Sequence, residues 1–496
     1  MSPKGEIQAE RAERRFVCVH GHFYQPPREN PWTGKVEREA SAEPFHDWNE
    51  RITAECYGPN ADNYSRISFD FGPTLLSWLE SQAPVVYRAI LRADRDSRER
   101  FTGHGAALAQ AYGHMILPLA RPRDKRTQIL WGIRDFEHRF RRSPEGMWLP
   151  ETAVDMETLE LLAESGLRFT ILAPHQALQW REAGQEEWQV AVNGLDTRRP
   201  YEARLPSGAR IALVFYDGAA SHAVAFGGLA GGAEGLARVL LDRFEGGGAA
   251  QIVSVATDGE TYGHHVRGGD RVLAGLLDRV EKGTDVQLTN YAEFLAKHPP
   301  RHEVRIRENT SWSCAHGVGR WKEECGCTTG GRPGWRQSWR APLRQALDSL
   351  RDALDGIFED RAGRLLHDPW AARDDSIELV LSGAGGADSF LARHAGRRLG
   401  PAEASRALAL FEMERCGMSM FTSCGWFFDD PSGLETRQVL RYAARAIELA
   451  ERLSGDSLEE DFLRRLDAVV SNDPAAGNGR RIYEEARGRV SGQAIG

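Results

Sequence analysis

The sequence QIVSVATDGETYGHH, residues 251–265, joins an apolar run to two acids and two histidines. The apolar part is rich in β-branched residues, which is typical of a buried strand. Polar residues that directly follow a buried strand are frequently functional. We therefore predict a strand that ends at a site containing Asp258 and Glu260, with His264 close by.

Further apolar runs before residue 300 have the same character, and helical patterns separate them. In one such pattern, 155–165, apolar residues recur on one face and Gly166 follows as a stop signal. Alternating strands and helices favour a parallel sheet or barrel, and a barrel carries its active site at the carboxyl ends of its strands. The predicted strands are 15–20, 168–173, 210–216, 251–257 and 286–289.

The sequence HGHFYQPP, residues 20–27, places two histidines and a glutamine at the end of the first predicted strand. Because strand side chains alternate between two faces, His20 and His22 point to the same side. They are predicted either to bind substrate hydroxyls or a metal, or to be structural strand-end histidines. The residues themselves leave these alternatives open.

The sequence GMWLPE, residues 146–151, delivers a carboxylate directly after a proline and close to Trp148. Glu151 is a candidate nucleophile; alternatively, it is an acid at the start of the 155–165 helix, where the helix dipole favours it. Cleavage of a glycosidic bond usually needs two carboxyl groups, one of which protonates the leaving oxygen. Glu151 and Asp258 form such a pair if their strands share one barrel.

The composition is that of an ordinary globular protein. The 496 residues include 63 basic and 71 acidic side chains and give a formal charge of −8. This mild acidity does not support a nucleic-acid partner, which requires a clustered basic face. The N-terminus has no apolar core of the kind that a secretory signal requires. No stretch reaches the roughly 18 apolar residues of a membrane span. The odd number of cysteines fits a reducing compartment. The sequence predicts a cytoplasmic protein with neither a nucleic-acid nor a membrane partner.

After about residue 335 the pattern changes to helices. Leu343, Leu347, Leu350 and Leu354 recur at helical spacing, which predicts a buried helix face and an α-helical bundle. The predicted organisation is a flexible N-terminus at 1–15, a barrel at 16–300, a Cys- and Trp-rich connection at 301–335 and a helical domain at 336–496.

These segments together resemble glycoside hydrolase family 57. His22 followed by Gln25-Pro26 matches the first motif of that family, a strand-end histidine with Gln-Pro. Residues 113–118, which contain His114 and a proline, match its second motif loosely. The segment 313–321 with the following Cys-Gly-Cys resembles a bacterial branch that carries a helical extension after the barrel.

Three further motifs carry the same resemblance. The third motif, Trp-Leu-x-Glu, is matched by Trp148 to Glu151, and the fourth, Asp-x-Glu with Gly-His, by Asp258 to His264. The fifth is an aromatic motif of the helical domain. Its variant at 422–428 contains Trp426 but lacks the Asp and Pro of the family form.

The resemblance implies an α/β fold, namely an incomplete (β/α)7 barrel followed by an α-helical bundle, and no cofactor or catalytic metal. It implies a retaining glycoside hydrolase or transglycosylase that acts on α-glucans or oligosaccharides, of the amylase, 4-α-glucanotransferase or branching type. Glu151 is then the nucleophile and Asp258 the general acid/base. The residues expected to bind substrate are His20, His22, Gln25, His114, Trp148, Asp217, His222, Glu260, His264, His316 and Trp426.

Some residues keep two interpretations. Cys314, His316, Cys325 and Cys327 either bind zinc or form a loop of free thiols, and their spacing differs from the usual zinc motifs. Asp217 either binds sugar hydroxyls or caps a helical turn.

Two other classes of function are also open. The first is a metal-dependent carbohydrate deacetylase or mannosidase-like hydrolase on a related barrel, with His20, His22, Asp258 and His264 as ligands. The second is a glucan-binding protein without catalysis, against which the presence of both carboxylates argues.

Overall fold

The computed structural model describes residues 14–192, 194–246 and 249–488, so residues 1–13 of the predicted flexible N-terminus lie outside the described residues. The chain divides into two compact units that are discontinuous in sequence. The first comprises the described residues up to Gln25 together with Arg38–Ala111 and Phe136–Trp312. The second comprises Pro26–Glu37, Tyr112–Asp135 and the described residues from Ser313 onward.

The first unit is built on a mixed β-sheet. Its strands are β1 Arg15–Phe23, β2 Ser68–Phe71, β3 Ala107–Gln110, β4 Gly146–Trp148, β5 Phe169–Leu172, β6 Ala177–Glu182, β7 Gln189–Val190, β8 Tyr201–Arg204, β9 Arg210–Phe215, β10 Gln251–Asp258, β11 Gln287–Leu288 and β12 His302–Ile306.

A run of parallel strands forms the barrel part of this sheet. The strands β10, β1, β2, β3, β4, β5 and β9 are parallel neighbours in that order. The two ends of the run approach each other where the Asp217 N–H, after β9, donates to the Ser254 carbonyl on β10 at 2.8 Å. This arrangement confirms the predicted incomplete (β/α)7 barrel.

Two features of the sheet differ from the sequence prediction. β1 continues past His20 to Phe23, because residues 20–23 pair with β2 while β10 pairs on the other side as far as His22. Beyond β9, the strands β8, β12, β6 and β7 extend the sheet, with β8 antiparallel to β9 and β6 antiparallel to β12.

The interior of the barrel ends where the functional residues begin. Phe16, Trp148 and Phe169 belong to one buried apolar cluster that the parallel strands share. β10 is buried from Ile252 to Thr257, and Asp258 is the first exposed residue of that strand. The apolar residues of the strand therefore fix its depth in the sheet, and the carboxylate that follows them is placed at the sheet's carboxyl edge.

The helices of the first unit lie between its strands in sequence. The predicted helix at 155–165 is confirmed as Met156–Glu164, which begins where the Asp155 side chain accepts from the Thr158 N–H at 2.8 Å. The helices are Trp48–Ile52, Pro73–Gln82, Pro84–Arg100, Met156–Glu164, Gly218–Phe226, Gly232–Leu241, Gly269–Lys282 and Tyr291–Lys297, and Pro122–Phe140 has residues in both units.

The second unit is helical, as the sequence predicts. The leucines at 343, 347, 350 and 354 are all buried on one face of the helix Arg340–Ala362. None of the helices in the described part of the chain has both the length and the apolarity that a membrane crossing requires. The helices are Arg340–Ala362, Pro369–Asp375, Ile377–Leu381, Ala387–His394, Pro401–Ser419, Cys424–Phe427, Leu434–Ser454, Glu459–Leu466 and Gly479–Gly488.

Candidate active site

Three polar residues stand side by side at the carboxyl ends of three neighbouring strands. In the register of the sheet, His22 on β1 is paired with Asp70 on β2 and with Asp258 on β10. The strand that ends at Asp258 is therefore present as predicted. Because the strands are parallel, their ends meet at one edge of the barrel and bring these side chains together.

Asp70, which was not among the predicted site residues, organises both histidines. Its carboxylate is fully buried and contacts His22 Nδ1 at 2.8 Å and His20 Nε2 at 3.1 Å. The His20 ring also contacts Ser68 Oγ at 3.0 Å. A signal was present, because Asp70 lies in the alternating stretch SFDF, where a charged residue between aromatic side chains marks a functional or paired acid.

Trp148 lies beneath these rings. It is fully buried, with ring centroids 4.6 Å from His20 and 5.2 Å from His22, both stacked. An indole in this position supports the histidine rings and offers no open face to a sugar. His20 is fully buried as well, so its place in the site is that of a support for Asp70 and not of a ligand-binding group.

The pKa of His22 is raised, whereas the pKa values of His20 and Asp70 are lowered. Burial alone lowers the pKa of His22, but the carboxylates of Asp70, Asp258 and Glu260 raise it to about 9. Burial dominates at His20 and lowers its pKa. The pKa of Asp70 is lowered, because the charge and hydrogen bonds of the histidines outweigh its burial. At neutral pH the site therefore contains an Asp70 carboxylate, a protonated His22 and a neutral His20.

Asp258 and Glu260 both have raised pKa values, but only Asp258 is open to solvent. Glu260 is 5% exposed and accepts a hydrogen bond from the Tyr57 hydroxyl at 2.7 Å. Neighbouring groups packed around Asp258 remove water from its charge and so raise its pKa. The charge of His22 lowers this pKa, and the charge of Asp70 raises it. Burial and then the charge of Asp258 raise the pKa of Glu260 to about 7, against the effect of Tyr57. Asp258 is thus the carboxyl group that combines access to a ligand with a raised pKa.

Glu151 lies in a strained turn after β4. The φ angles of Glu151 and Thr152 are 57° and 49°, in the left-handed region. Such backbone costs about 1–3 kcal/mol for a residue other than glycine and is found at functional sites. The following helix starts only at Met156, with Asp155 as its cap, so Glu151 is not the N-terminal acid of that helix.

Gln176 holds this turn in place. Its side-chain amide donates to the Thr152 carbonyl at 2.8 Å and to the Thr310 carbonyl at 3.1 Å. Its side-chain oxygen accepts from the Thr152 hydroxyl at 2.9 Å and from the Ala173 N–H at 2.8 Å. Gln176 is fully buried, so these hydrogen bonds compensate the strain of the turn without competition from water.

Trp312 holds the Glu151 carboxylate and was also missed as a site residue. Its Nε1–H donates to Glu151 Oε2 at 2.9 Å, and its backbone N–H donates to the Glu151 carbonyl at 2.9 Å. Its ring lies edge-on to His22, Trp148 and Tyr216, with centroids 6.1, 5.1 and 6.4 Å away. The sequence signal was weak, since Trp312 lies outside the five family motifs and directly precedes the segment 313–321.

These contacts place Glu151 and Asp258 at the same end of the barrel. Trp312 bonds to Glu151 and also packs against His22 and Tyr216. His22 and Tyr216 both respond to the charge of Asp258 in their pKa values, which are raised in part by it. The two carboxyl groups therefore border one site, because the Trp312 indole contacts Glu151 and also the rings of His22 and Tyr216.

His264 is placed by an ion pair and by the close approach of two backbone segments. Its Nδ1 contacts Glu55, and its ring lies edge-on to Trp48 at 5.8 Å. The preceding residue must be glycine, because a Cβ on Gly263 would lie 2.4 Å from the Glu55 carbonyl. His264 is half-buried, and Gln25, two residues after β1, is half-buried too.

Asp217 and His222 have surroundings that explain them without a ligand. Asp217 Oδ1 accepts from the Ala220 N–H at 2.8 Å and caps the helix Gly218–Phe226. Ser221 is buried and accepts from the Ala256 N–H at 3.1 Å. His222 is exposed and stacks on Phe226. This geometry favours the capping interpretation of Asp217.

Three of the predicted site residues belong to the second unit. His114 is 1% exposed with φ 53°, and its Nδ1 contacts Ser423 Oγ at 2.6 Å. Trp426 is 1% exposed, donates from Nε1 to the Arg340 carbonyl at 3.3 Å and lies parallel to Phe421. Its place is thus in the packing of that unit. His316 is exposed and lies among three cysteines.

The ligand set of the metal-dependent alternative does not form a cluster. Among the residues that the structure describes, one group of His, Cys, Asp and Glu side chains has ligand atoms close enough to share an ion, and it contains none of the four proposed residues. The ring nitrogens of His20 and His22 contact Asp70, and His264 contacts Glu55. This arrangement gives no support to a metal-dependent barrel site.

Two family models match parts of the chain. Residues 98–307 match the family described as glycosyl hydrolase family 57, and residues 335–491 match a family described as a domain of unknown function, DUF3536. A search of curated proteins finds no match.

Solved structures share the fold at low sequence identity. The exo-type maltose-forming amylase from Pyrococcus sp. ST04 is 16% identical, with a TM-score of 0.71 over 95% of this chain and 88% of that one. The branching enzyme from Pyrococcus horikoshii is 16% identical, with a TM-score of 0.58 over 96% and 94%. The 4-α-glucanotransferase from Thermococcus litoralis is 15% identical, with a TM-score of 0.54 over 88% and 60%.

Proposed function

Since residues 98–307 make this chain a member of glycosyl hydrolase family 57, we propose that it is a retaining enzyme that cleaves or transfers α-glucan chains, with Glu151 as nucleophile and Asp258 as general acid/base. The observation that carries the proposal is the pair of carboxyl groups at one end of the barrel, with Trp312 bonded to one and His22 beside the other. Retention requires two such groups about 5–5.5 Å apart.

In the first step, Glu151 attacks the anomeric carbon while Asp258 gives its proton to the departing glycosidic oxygen. The carbon–oxygen bond to the leaving chain breaks as the bond to Glu151 forms. The raised pKa of Asp258 supports its role as the acid, because the group must be protonated before this step. The leaving chain departs with a hydroxyl group, and Asp258 is left as a carboxylate.

In the second step, Asp258 acts as base. It takes a proton from water or from a sugar hydroxyl, whose oxygen then attacks the anomeric carbon and releases Glu151. Water gives hydrolysis and a sugar gives transglycosylation. The proposal covers both outcomes, since the extent to which the closed site excludes water decides between them.

The other residues of the site position these two groups. Trp312 holds Glu151 Oε2, and the strained turn fixed by Gln176 directs the carboxylate. His22, held protonated by Asp70, places a positive charge beside Asp258 once that group has given up its proton. We assign binding of the substrate to Gln25 and His264, two half-buried polar residues of the same unit.

The substrate class rests on the family and on the printed activities of proteins with this fold, a maltose-forming amylase, a branching enzyme and a glucanotransferase. The cytoplasmic location expected from the sequence belongs to the same proposal.

The test is a matched set of substitutions. Glu151→Gln and Asp258→Asn remove one carboxylate each, and Glu186→Gln and Asp285→Asn make the same chemical changes at exposed positions. Products from maltooligosaccharides, amylose and glycogen are measured as released reducing ends and as transferred chains. We expect Asp258→Asn to lose about 10²–10⁴-fold in turnover, the usual contribution of a general acid/base.

We expect Glu151→Gln to lose at least as much activity as Asp258→Asn, and both control variants to keep wild-type rates. Azide restores part of the activity of Glu151→Ala and gives a product of inverted configuration, because azide replaces the missing nucleophile. Near-normal turnover in Glu151→Gln contradicts the assignment, and so does glucan binding by the wild-type chain without turnover on any of the three substrates.

A further inference from the structure

Four side chains of the second unit converge on one point outside the site described above. They are Cys314, His316, Cys325 and Cys327, named here the CHCC cluster, and one ligand atom of each lies within 4.8 Å of the others. Cys314 Sγ is 3.9 Å from Cys325 Sγ and 3.8 Å from Cys327 Sγ. Cys327 Sγ is 3.5 Å from His316 Nδ1.

These distances are those of a tetrahedral zinc site. Zinc binds thiolate sulfur at about 2.3 Å and imidazole nitrogen at about 2.0–2.1 Å, so a tetrahedron separates two sulfurs by about 3.8 Å and a sulfur from a nitrogen by about 3.5 Å. A disulfide joins two sulfurs at about 2.05 Å and involves only two of the three thiols. We propose that the CHCC cluster binds one zinc ion through four protein ligands.

The backbone of the cluster is built to turn the ligands inward. Gly326, between the two cysteines of the C-x-C pair, has φ 82°, and Gly317, after His316, has φ 76°. These left-handed conformations favour glycine and let each short segment reverse around its sulfur or nitrogen. The sequence spacing of C-x-H and C-x-C therefore does not prevent all four ligands from facing one centre.

A buried cation beside the CHCC cluster offsets the negative charge of bound thiolates. The guanidinium of Arg340, which is fully buried, donates to the Cys327 carbonyl at 3.0 Å. Three thiolates exceed the charge of one Zn²⁺ by one, and this guanidinium stabilises the excess.

A site with four protein ligands and no open position is structural. The loop that it closes continues into Thr328 and Thr329, whose hydroxyls donate to the Asp429 carboxylate at 2.7 and 3.1 Å. Within the same loop, Trp321 Nε1 donates to the Ser423 carbonyl at 3.1 Å. The ion therefore holds the loop against the segment 423–429 of the second unit.

The experiment uses the full chain, purified without chelators after expression in medium containing zinc. Elemental analysis gives the stoichiometry, and X-ray absorption at the zinc edge gives the ligands. We expect one zinc per chain, with three sulfurs at about 2.3 Å and one nitrogen at about 2.0–2.1 Å. Cys325→Ser and Cys327→Ser should lose the zinc, whereas Cys424→Ser, the same change at a cysteine outside the cluster, should keep it.

The absorption spectrum of the wild-type chain keeps the proposal testable if a variant fails to fold. Replacement of the ion by Co²⁺ should give a thiolate-to-metal charge-transfer band and the strong visible bands of tetrahedral cobalt. A chain that carries no zinc after this preparation overturns the proposal. So does zinc bound by oxygen and nitrogen only, zinc retained in the Cys325→Ser/Cys327→Ser double variant, or a disulfide within the cluster detected by mass spectrometry of the freshly purified protein.

Discussion

The substitution Asp70→Asn tests the electrostatic design of the site. Asn has nearly the same shape as Asp and keeps hydrogen-bonding groups near both histidines, but it removes the charge that protonates His22. In the native site the pKa of His22 is raised to about 9, in spite of its burial. Without the Asp70 carboxylate, the smaller effects of Asp258 and Glu260 alone oppose the burial of His22, and its pKa falls toward its ordinary value of about 6.5.

The magnitude follows from this change. A fall from about 9 to about 6.5, at about 1.4 kcal/mol for each pKa unit, weakens the protonated state of His22 by about 3.5 kcal/mol. The His22 side chain is 6% exposed and Asp70 fully buried, so solvent screens this interaction little. The stabilisation is complete below the unfolded pKa of about 6.5 and is lost as the pH rises through about 9. The variant should therefore be least stable, relative to the wild type, at acid and neutral pH.

Two measurements check this prediction. The first is NMR titration of the histidine rings, with the His22 signal assigned by its loss in His22→Gln. We expect it to titrate near 9 in the wild type and at about 6.5 in Asp70→Asn. The second is denaturant unfolding at pH 6 and pH 9.5, where the stability difference between the two proteins should shrink at the higher pH.

The control is Asp62→Asn, which neutralises an exposed carboxylate and should leave the His22 titration unchanged. A wild-type His22 that titrates below 7 refutes the reasoning, because the site would then lack the buried cation. An unchanged His22 pKa in Asp70→Asn refutes it equally, since Asp70 would not be the source of the shift.

Three further substitutions have distinct expected results. Trp312→Phe keeps an aromatic ring but removes the hydrogen bond to Glu151. A bond to a charged group contributes roughly 1.5–3 kcal/mol, so kcat/KM should fall about 10- to 100-fold, while the melting temperature changes little. Gln176→Leu should lower the free energy of unfolding by about 3 kcal/mol and reduce kcat, because it leaves the strained turn at Thr152 without its buried partners. An unchanged kcat in a destabilised variant would limit Gln176 to a structural role. Asp217→Ala should cost about 1 kcal/mol of stability and leave KM unchanged, as a lost helix cap does, whereas a raised KM would restore the substrate-binding interpretation.

The parts of the site that follow from strand ends were predictable from the sequence. Asp258 comes after a long apolar β-branched run, which fixes both the strand and its end. Glu151 follows a shorter strand, but the aromatic residue and the proline before it mark the position. In both cases the relevant information lies within a few neighbouring residues, where periodicity and turn chemistry act.

The supports of these residues were not predictable, because they depend on contacts between distant segments. The acid in the stretch SFDF is unusual enough to be noticed in the sequence, but its histidine partners follow only from the register of Ser68–Phe71 with β1. Trp312 reaches Glu151 across 161 residues of sequence. Trp148 was expected to offer a face to the substrate, but the histidines of β1 cover it, which only the packing of β1 on β4 reveals.

The division of the chain into units also exceeds what sequence patterns contain. The second unit takes residues 26–37 and 112–135 from between the strands of the barrel. The sequence does not show in which unit these segments pack, since hydrophobic periodicity reports on a local helix or strand and not on the core in which it is buried. The antiparallel strands beyond β9 were missed for a related reason, because they are short and partly exposed.

The central claim, that Glu151 forms a covalent bond to the sugar, is tested most directly by trapping that bond. Asp258→Ala is incubated with α-maltosyl fluoride, whose leaving group needs no protonation, so that the first step proceeds while the second lacks its base. Peptide mapping by mass spectrometry should find one maltosyl group on Glu151, and the Glu151→Gln/Asp258→Ala double variant should carry none. Fluoride release with an inverted product and no adduct, or an adduct on another residue, would contradict the account.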